Sequence, residues 1–291
     1  MRLPFIVTSF LMFSAAHAYA QDRASAAPGS CNLSHTPGAA TQQLMSGQRP
    51  RTYRLFVPPG YDGRQRLPLV LDLHGSGGNS AGQARNSGFE TLAATETFIV
   101  ATLDAVEARW NVPVQAGRPD DVAYVSDVID HVAKQVCTDD TRIYSTGFSG
   151  GARMTSLLGC KLGSRLAAIA PVSGLRLPAG QCSGRPMPVL TFHGLADPQN
   201  TYNGHAEGRG EEWLESVPDA LAGWARRDSC RGDAILDDPP GPLSALHYEG
   251  CADGSEVRII RIDGLGHTWT HSEVDTTAVM WQFFKTHHLK R

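Results

Sequence analysis

The stretch Arg142-Ile-Tyr-Ser-Thr-Gly-Phe-Ser-Gly-Gly-Ala-Arg-Met154 sets a serine between glycines, where a β-branched run gives way to small residues. A serine hydroxyl is a strong nucleophile only when a base takes its proton and an acid fixes the tautomer of that base. The turn that presents such a serine joins a strand to a helix under strain, and the residues two before and two after it must be small. Gly147 and Gly151 meet that need around Ser149. A second Gly-x-Ser-x-Gly, Gly78 to Gly82, places Ser80 seven residues beyond the nearest apolar run, in a Gly/Asn/Ser-rich stretch, so Ser80 reads as a loop residue or helix cap.

Sites built on this turn run Ser, then Asp or Glu, then His along the chain. Past Ser149, the run Pro188–His193 ends in Gly194-Leu-Ala-Asp197, and the run Val257–Asp263 ends in Gly264-Leu-Gly-His267. Asp197 is the expected acid and His267 the expected base, its flanking glycines allowing a tight loop to aim the ring. Asp104 is the reserve acid. His193 reads as strand-end packing, and Asp263 as the polar end of its strand. His205, His247, His271, His287 and His288 lie in polar segments and read as solvent-facing. Acyl transfer builds charge on a carbonyl oxygen, which two fixed N–H donors stabilise. The expected donors are Gly150, directly after the nucleophile, and Ser76, with Gly75 as the alternative, in the turn after Leu71-Asp-Leu-His74.

Positioning these groups requires strands that end together. Apolar runs at Thr52–Val57, Leu67–Leu73, Phe98–Leu103, Arg142–Thr146, Ala167–Val172, Pro188–His193 and Val257–Asp263 read as strands, most of them buried on both faces. Helical spacing follows Asp120 or Asp121 (Val122 to Val136) and Ser216 (Val217 to Ala225), covers Val274–His287, and begins at once after Ser149. Strands alternating with helices predict an α/β fold with a mostly parallel sheet covered on both faces and its site at the carboxyl ends of the strands. The first run, followed by Pro-Pro-Gly-Tyr-Asp-Gly, is expected to form an antiparallel edge hairpin.

The first twenty residues carry one charge, an apolar run from Leu3 to Ala16, and Ala18-Tyr-Ala20, which predicts a secretory signal peptide. Residues 21–30 read as an unstructured leader, and 31–291 as a single catalytic domain. The product is expected to be secreted or periplasmic, with no membrane span. A net charge of −3 offers no basic stripe for nucleic acid. The even set of six cysteines predicts disulfides, and the pairing taken here is Cys230 with Cys251, Cys160 with Cys182 and Cys31 with Cys137, one of 15 possible connectivities. No Cys-x-x-Cys spacing suggests a metal, and no cofactor is expected.

The chain resembles the secreted esterases that include bacterial feruloyl esterases and polyhydroxybutyrate depolymerases, the group around carbohydrate esterase family one. The resemblance rests on DLHGSGGN at 72–79, Trp110-Asn111, Asp120-Asp121-Val-Ala-Tyr124, TGFSGGARM, AIAPVSG at 168–174, FHGLADPQNTYNG at 192–204, and Gly250-Cys251 leading to GHTWT at 266–270. It implies an α/β-hydrolase with Ser149, Asp197 and His267 as the triad. Gly150 and Thr270 stand where that group usually has Asn and Pro, and residues 205–215 look like added length after the acid loop. Trp269, Trp110 and Tyr202 are candidate substrate contacts, although a tryptophan is as readily a core residue. The expected reaction is ester hydrolysis through an acyl-enzyme, on feruloyl or related aryl and sugar esters. The chain ends directly after its last helical pattern, with no linker to a binding module, which disfavours a crystalline polyester. Hydroxyalkanoate oligomers are the alternative substrate, and acyl transfer or a silent binding role the alternative functions. The partner is a small-molecule, oligosaccharide or oligoester substrate, and the sequence leaves the oligomeric state open.

Overall fold

The computed structural model describes residues 31–178, 180–204, 215–237, 241–269 and 274–290. The signal peptide and leader expected over residues 1–30 lie outside them, as do Thr270, His271, His205 and most of the 205–215 segment. From Cys31 onward the chain forms one compact unit.

Ten strands build one sheet, in the order β1-β2-β4-β3-β5-β6-β7-β10-β9-β8. Its centre is parallel: β4 (Ile99–Leu103), β3 (Leu67–Leu73), β5 (Thr138–Phe148), β6 (Ala168–Val172), β7 (Val189–Gly194) and β10 (Val257–Ile262). Every residue of β3, β4, β6 and β7 is buried, as continuous apolar runs require when helices cover both faces. On one face lie Val125 and Ile129 of α3 (Asp121–Ala133), Leu157 of α4 (Gly150–Lys161) and Trp224 of α5 (Val217–Arg227). On the other lie Phe89 of α2 (Phe89–Glu96) with Trp281 and Phe284 of α6 (Thr276–Lys285). The expected caps form: Asp120 Oδ1 accepts from Ala123 N at 2.9 Å, and Ser216 Oγ from Asp219 N at 3.1 Å.

The flanks differ from expectation. The strand expected from Thr52 is β2 (Arg49–Val57), and its hairpin partner lies upstream in β1 (Gly38–Ser46), turning at Gly47-Gln48 instead of at the Pro-Pro-Gly segment. β1 is mostly exposed, so its polar sequence carries no burial pattern to read. Beyond β10 lies an antiparallel pair that no apolar run predicts, β8 (Arg231–Asp237), mostly exposed, and β9 (Leu243–Glu249), half-buried along most of its length. Ser80 opens a helix, α1 (Ser80–Ser87), behind Asn79, whose Oδ1 accepts from Gly82 N at 2.8 Å.

All six cysteines are paired. Cys31 bonds to Cys137, which ties the start of the domain to the residue before β5. Cys160, near the end of α4, bonds to Cys182 in the segment between β6 and β7. Cys230 bonds to Cys251, which closes the β8–β9 hairpin at its base. These are the pairs taken from the sequence, and they leave no free thiol.

Strand ends meet at one rim. Leu73 pairs with Gly147, Phe148 with Val172, Val172 with Phe192, and Gly194 with Ile262. The loops that leave these ends carry His74–Gly78, Ser149, Gly174, Asp197 and His267.

Candidate active site

Ser149 sits between β5 and α4 at φ 55° and ψ −112°, a left-handed conformation that a non-glycine residue enters only at a cost of about 1–3 kcal/mol. Its N–H donates to Val172 O at 3.0 Å, which ties the turn to the neighbouring strand. The glycines around it answer to crowding. A Cβ on Gly147 would lie 2.7 Å from the Gly151 carbonyl and 2.8 Å from Leu73 O; one on Gly151 would lie 2.7 Å from His74 O. No side chain fits at either place, which is the physical content of the glycine spacing in the sequence.

The loop after β3 reaches over this turn. A Cβ on Gly75 would approach Ser149 Cβ at 3.4 Å, and one on Gly150 would approach Ser76 N at 3.1 Å, so the Gly75-Ser76 turn lies against Ser149 and Gly150. Among the described residues no protein acceptor takes the N–H of Gly150 or that of Ser76. His74 fixes the loop. Its Nε2 accepts from Ala105 N at 3.0 Å, so Nδ1 carries the hydrogen and donates to Gly75 O at 2.7 Å. Burial pushes the His74 pKa down, which keeps this neutral tautomer. Gly78 N donates to Gly75 O at 2.9 Å and Gly77 N to Ala108 O at 2.8 Å, completing a loop held by its own backbone.

Asp197 and His267 meet. His267 Nδ1 donates to Asp197 Oδ2 at 2.7 Å, which leaves Nε2 to accept a proton. Asp197 Oδ1 accepts from Gln199 N and Asn200 N, each at 2.8 Å. Burial works to raise the Asp197 carboxyl, but the bond from His267 and those from the Asn200 and Gln199 amides outweigh it and hold the group below its ordinary value. The two loops are laced together: Ala196 N donates to Leu265 O at 3.0 Å, and a Cβ on Gly194 would lie 2.6 Å from Gly266 O. The Phe148 ring, next to the serine, packs 4.6 Å from the imidazole. The Ser149 hydroxyl makes no hydrogen bond to His267 in this structure, a separation common in free enzymes before substrate draws such groups together.

Some residues outside the expected set support this pair. His193 is buried, donates from Nε2 to Asn200 O at 2.7 Å, and lies 3.7 Å from Asp197 Oδ2. Asn200 Nδ2 donates to Ser173 O, joining the acid loop to the end of β6. Behind the site, Trp269 Nε1 donates to Thr277 Oγ1 at 3.1 Å, Thr277 Oγ1 to Ser87 O at 2.5 Å, and Ser87 Oγ to Asp72 Oδ2 at 2.6 Å. This polar chain links the histidine loop to β3, and nothing in the spacing of these residues signals it. Asp104, the reserve acid, is used elsewhere: its carboxylate accepts from Ser80 N at 2.6 Å, Ser80 Oγ at 2.9 Å and Thr52 Oγ1 at 3.1 Å.

The reading of Trp110 and Trp269 as substrate contacts is corrected. Trp269 is 1% exposed and packs among Phe89 and its neighbours; Trp110 is 3% exposed, with Nε1 donating to His74 O at 2.8 Å. Both rings are spent on packing behind the loops they follow. Tyr202 is half-buried with its ring edge-on to His193 at 5.8 Å.

A mostly parallel sheet with helices on both faces, a strained serine turn after a central strand, and an acid–histidine pair on the following strands define the α/β-hydrolase class. The acetyl xylan esterase from Aspergillus awamori shares this fold, at a TM-score of 0.62 and 14% identity over 84% of this chain and 99% of that one. Residues 51–210, more than half of the chain, match the family model described as esterase PHB depolymerase, and the chain belongs to that family. It is 29% identical over 226 residues to feruloyl esterase B of Piromyces equi, covering 72% of this chain and 41% of that protein, so it spans about two fifths of that relative's length. It is 26% identical over 238 residues to feruloyl esterase C of Emericella nidulans, covering 77% and 86%.

Proposed function

We propose that the chain is an exported serine esterase that hydrolyses carboxylic esters through an acyl-enzyme, with feruloyl or related aryl and sugar esters as its substrates. One observation carries the reading: His267, bonded to Asp197 at 2.7 Å, packs 4.6 Å from the ring of Phe148, the residue before a serine held in a strained strand-to-helix turn. His267 Nε2 takes the Ser149 proton as the hydroxyl attacks the ester carbonyl, and Asp197 stabilises the imidazolium that forms. The Gly150 and Ser76 amides receive the negative charge that develops on the carbonyl oxygen. The alcohol departs with the proton from His267, and water activated by the same ring releases the acid. The names of the Piromyces and Emericella relatives support the feruloyl substrate class. The family description favours a second reading, hydrolysis of hydroxyalkanoate oligomers. Export agrees with the apolar N-terminal run and with disulfides, which persist in oxidising compartments.

The test has two stages. A fluorophosphonate probe should label wild type and leave Ser149→Ala unlabelled. Rates on methyl ferulate, an acetylated xylo-oligosaccharide and a hydroxybutyrate trimer should rank the ferulate first. Labelling that survives in Ser149→Ala would reject the nucleophile, and a leading rate on the trimer would reverse the order of the two substrate readings.

A further inference from the structure

Two imidazoles stand against one carboxylate oxygen. His267 Nδ1 lies 2.7 Å from Asp197 Oδ2, and His193 Nε2 lies 3.7 Å from the same atom. Only the first distance is that of a hydrogen bond. The second ring spends its hydrogen elsewhere: His193 Nε2 donates to Asn200 O at 2.7 Å. A carbonyl can only accept, so Nε2 carries the hydrogen and Nδ1 the lone pair. Burial lowers the His193 pKa, and the Asn200 bond and the Asp197 charge, which pull the other way, do not restore it. The ring is therefore neutral and has one hydrogen to give.

Asn200 receives that hydrogen, and its own donors are committed as well. Its N–H donates to Asp197 Oδ1 at 2.8 Å, and its Nδ2 donates to Ser173 O. Ser173 is left-handed at φ 51°, a conformation that a serine enters at a cost, and its N–H donates to Phe192 O at 2.9 Å, one residue before His193. The bonds close a ring: from His193 to Asn200, on to Ser173, and back to the strand that carries His193. This ring touches both halves of the site. Asp197 hangs from it through the Asn200 amide, and Ser149 leans on the same end of β6, where its N–H donates to Val172 O at 3.0 Å and a Cβ on Gly174 would lie 2.6 Å from Ser149 O.

Packing alone does not account for these residue types. His193 and Ser173 are each 1% exposed, and Asn200 is wholly buried. Among the described residues, Nδ1 of His193, Oδ1 of Asn200 and Oγ of Ser173 find no hydrogen-bond partner. Apolar side chains would fill the same volume without desolvating three polar atoms, so what the polar types contribute is the bonds they do make.

We propose that His193 and Asn200 are positioning residues for the reaction. His193 fixes the Asn200 carbonyl and, by giving its hydrogen there, leaves Asp197 Oδ2 to His267 alone; Asn200 holds Asp197 Oδ1 and tethers the acid to the strand end behind the nucleophile. The inference rests on the serine-esterase reading and extends its machinery beyond the triad.

The experiment compares His193→Phe, which fills the space but donates nothing, with His193→Gln, whose Nε2 can take the place of the ring Nε2 and donate to Asn200 O. Steady-state rates on an activated ester are normalised to the fraction of protein that a fluorophosphonate labels at Ser149. His193→Phe should lower kcat by about tenfold to a hundredfold, the range expected when a reacting group is misplaced by about an ångström, with KM changed less than about threefold. His193→Gln should recover most of that loss. The downfield proton resonance of the His267–Asp197 bond, assigned by its absence in Asp197→Asn, should persist in His193→Gln and shift or vanish in His193→Phe. Asn200→Ala, which keeps the backbone bonds and removes the tether to Ser173, should show the same fall in kcat at smaller amplitude, and it carries the test if His193→Phe does not fold. Lower melting temperatures with kcat and the resonance unchanged would make these residues structural only and overturn the inference. So would an equal loss of kcat in His193→Phe and His193→Gln, or a loss confined to KM. Each of those outcomes leaves the esterase reading standing, whereas wild type that neither takes the probe nor hydrolyses the ester overturns both.

Discussion

The two sides of the site are held by different forces. The serine and the paired amides are positioned by backbone: crowded glycines, a left-handed serine, and main-chain bonds in the His74 loop. The acid and the histidine are positioned by side-chain hydrogen bonds between loops. Two buried carboxylates show the consequence. Asp72, on the strand that feeds the amide loop, is wholly buried and receives Ser87 Oγ at 2.6 Å and Gln83 Nε2 at 2.8 Å. Burial outweighs those neutral donors and raises its pKa to about 7. Asp197, also buried, receives two backbone amides and the imidazole, and its pKa falls below the ordinary value. What separates them is both the desolvation, deeper at Asp72, and the donor set, since backbone N–H groups and a histidine that can share charge offset burial at Asp197 where a hydroxyl and an amide at Asp72 do not.

The comparison can be broken from its strongest member down. Ser149→Ala should reduce kcat by about 10⁶ and Asp197→Asn by about 10⁴, in steady-state assays on an activated ester. Similar, small losses in both would mean that neither group does the chemistry. Next comes Gly151→Ala, which would drive a methyl into His74 O and should cost more than about 3 kcal/mol in denaturant unfolding, at or beyond the upper range for overpacking. Gly266→Ala, whose Cβ meets nothing within 4 Å, should stay within about 0.5 kcal/mol. Equal penalties would contradict a backbone-held serine side. Thr277→Val leaves the Trp269 N–H and the Ser87 carbonyl without their bridge and should cost about 1–3 kcal/mol, with a few-fold fall in kcat if the histidine loop depends on it.

The smallest effect sharpens the contrast of the two carboxylates. Between the ordinary value of 3.8 and about 7, folded Asp72 holds its proton while the unfolded chain has lost it. The folded state then binds more protons, so this group's contribution to stability falls as pH rises through that window. Asp197 acts in the opposite sense: its contribution is complete above the unfolded value and is lost as pH drops through the lower folded one. Melting temperatures of Asp72→Asn across pH 4 to 7 should fall less steeply than wild type; a parallel curve would mean that Asp72 is charged throughout.

Much of the central sheet and the serine turn was legible because burial on both faces forces continuous apolar runs and because crowding at the turn forces glycine. The mostly exposed strands β1 and β8 and the half-buried β9 escaped, since a strand that buries little on either face needs no hydrophobic period. The tryptophans misled for a related reason. A residue two positions from His267 is near the site in sequence, yet its side chain points to the opposite side of the loop, into the core with Phe89 and Thr277.

Residue type and order alone determined which serine, acid and base were candidates, because strain, crowding and chain order are local demands written into neighbouring residues. Which polar groups ended up sharing hydrogen bonds was decided only by folding: Asp72 with Ser87 and Gln83, and Asn200 with Ser173. A hydrogen bond or a cavity wall depends on ångström distances between segments far apart in the chain, and those distances exist only once the sheet has aligned its strand ends.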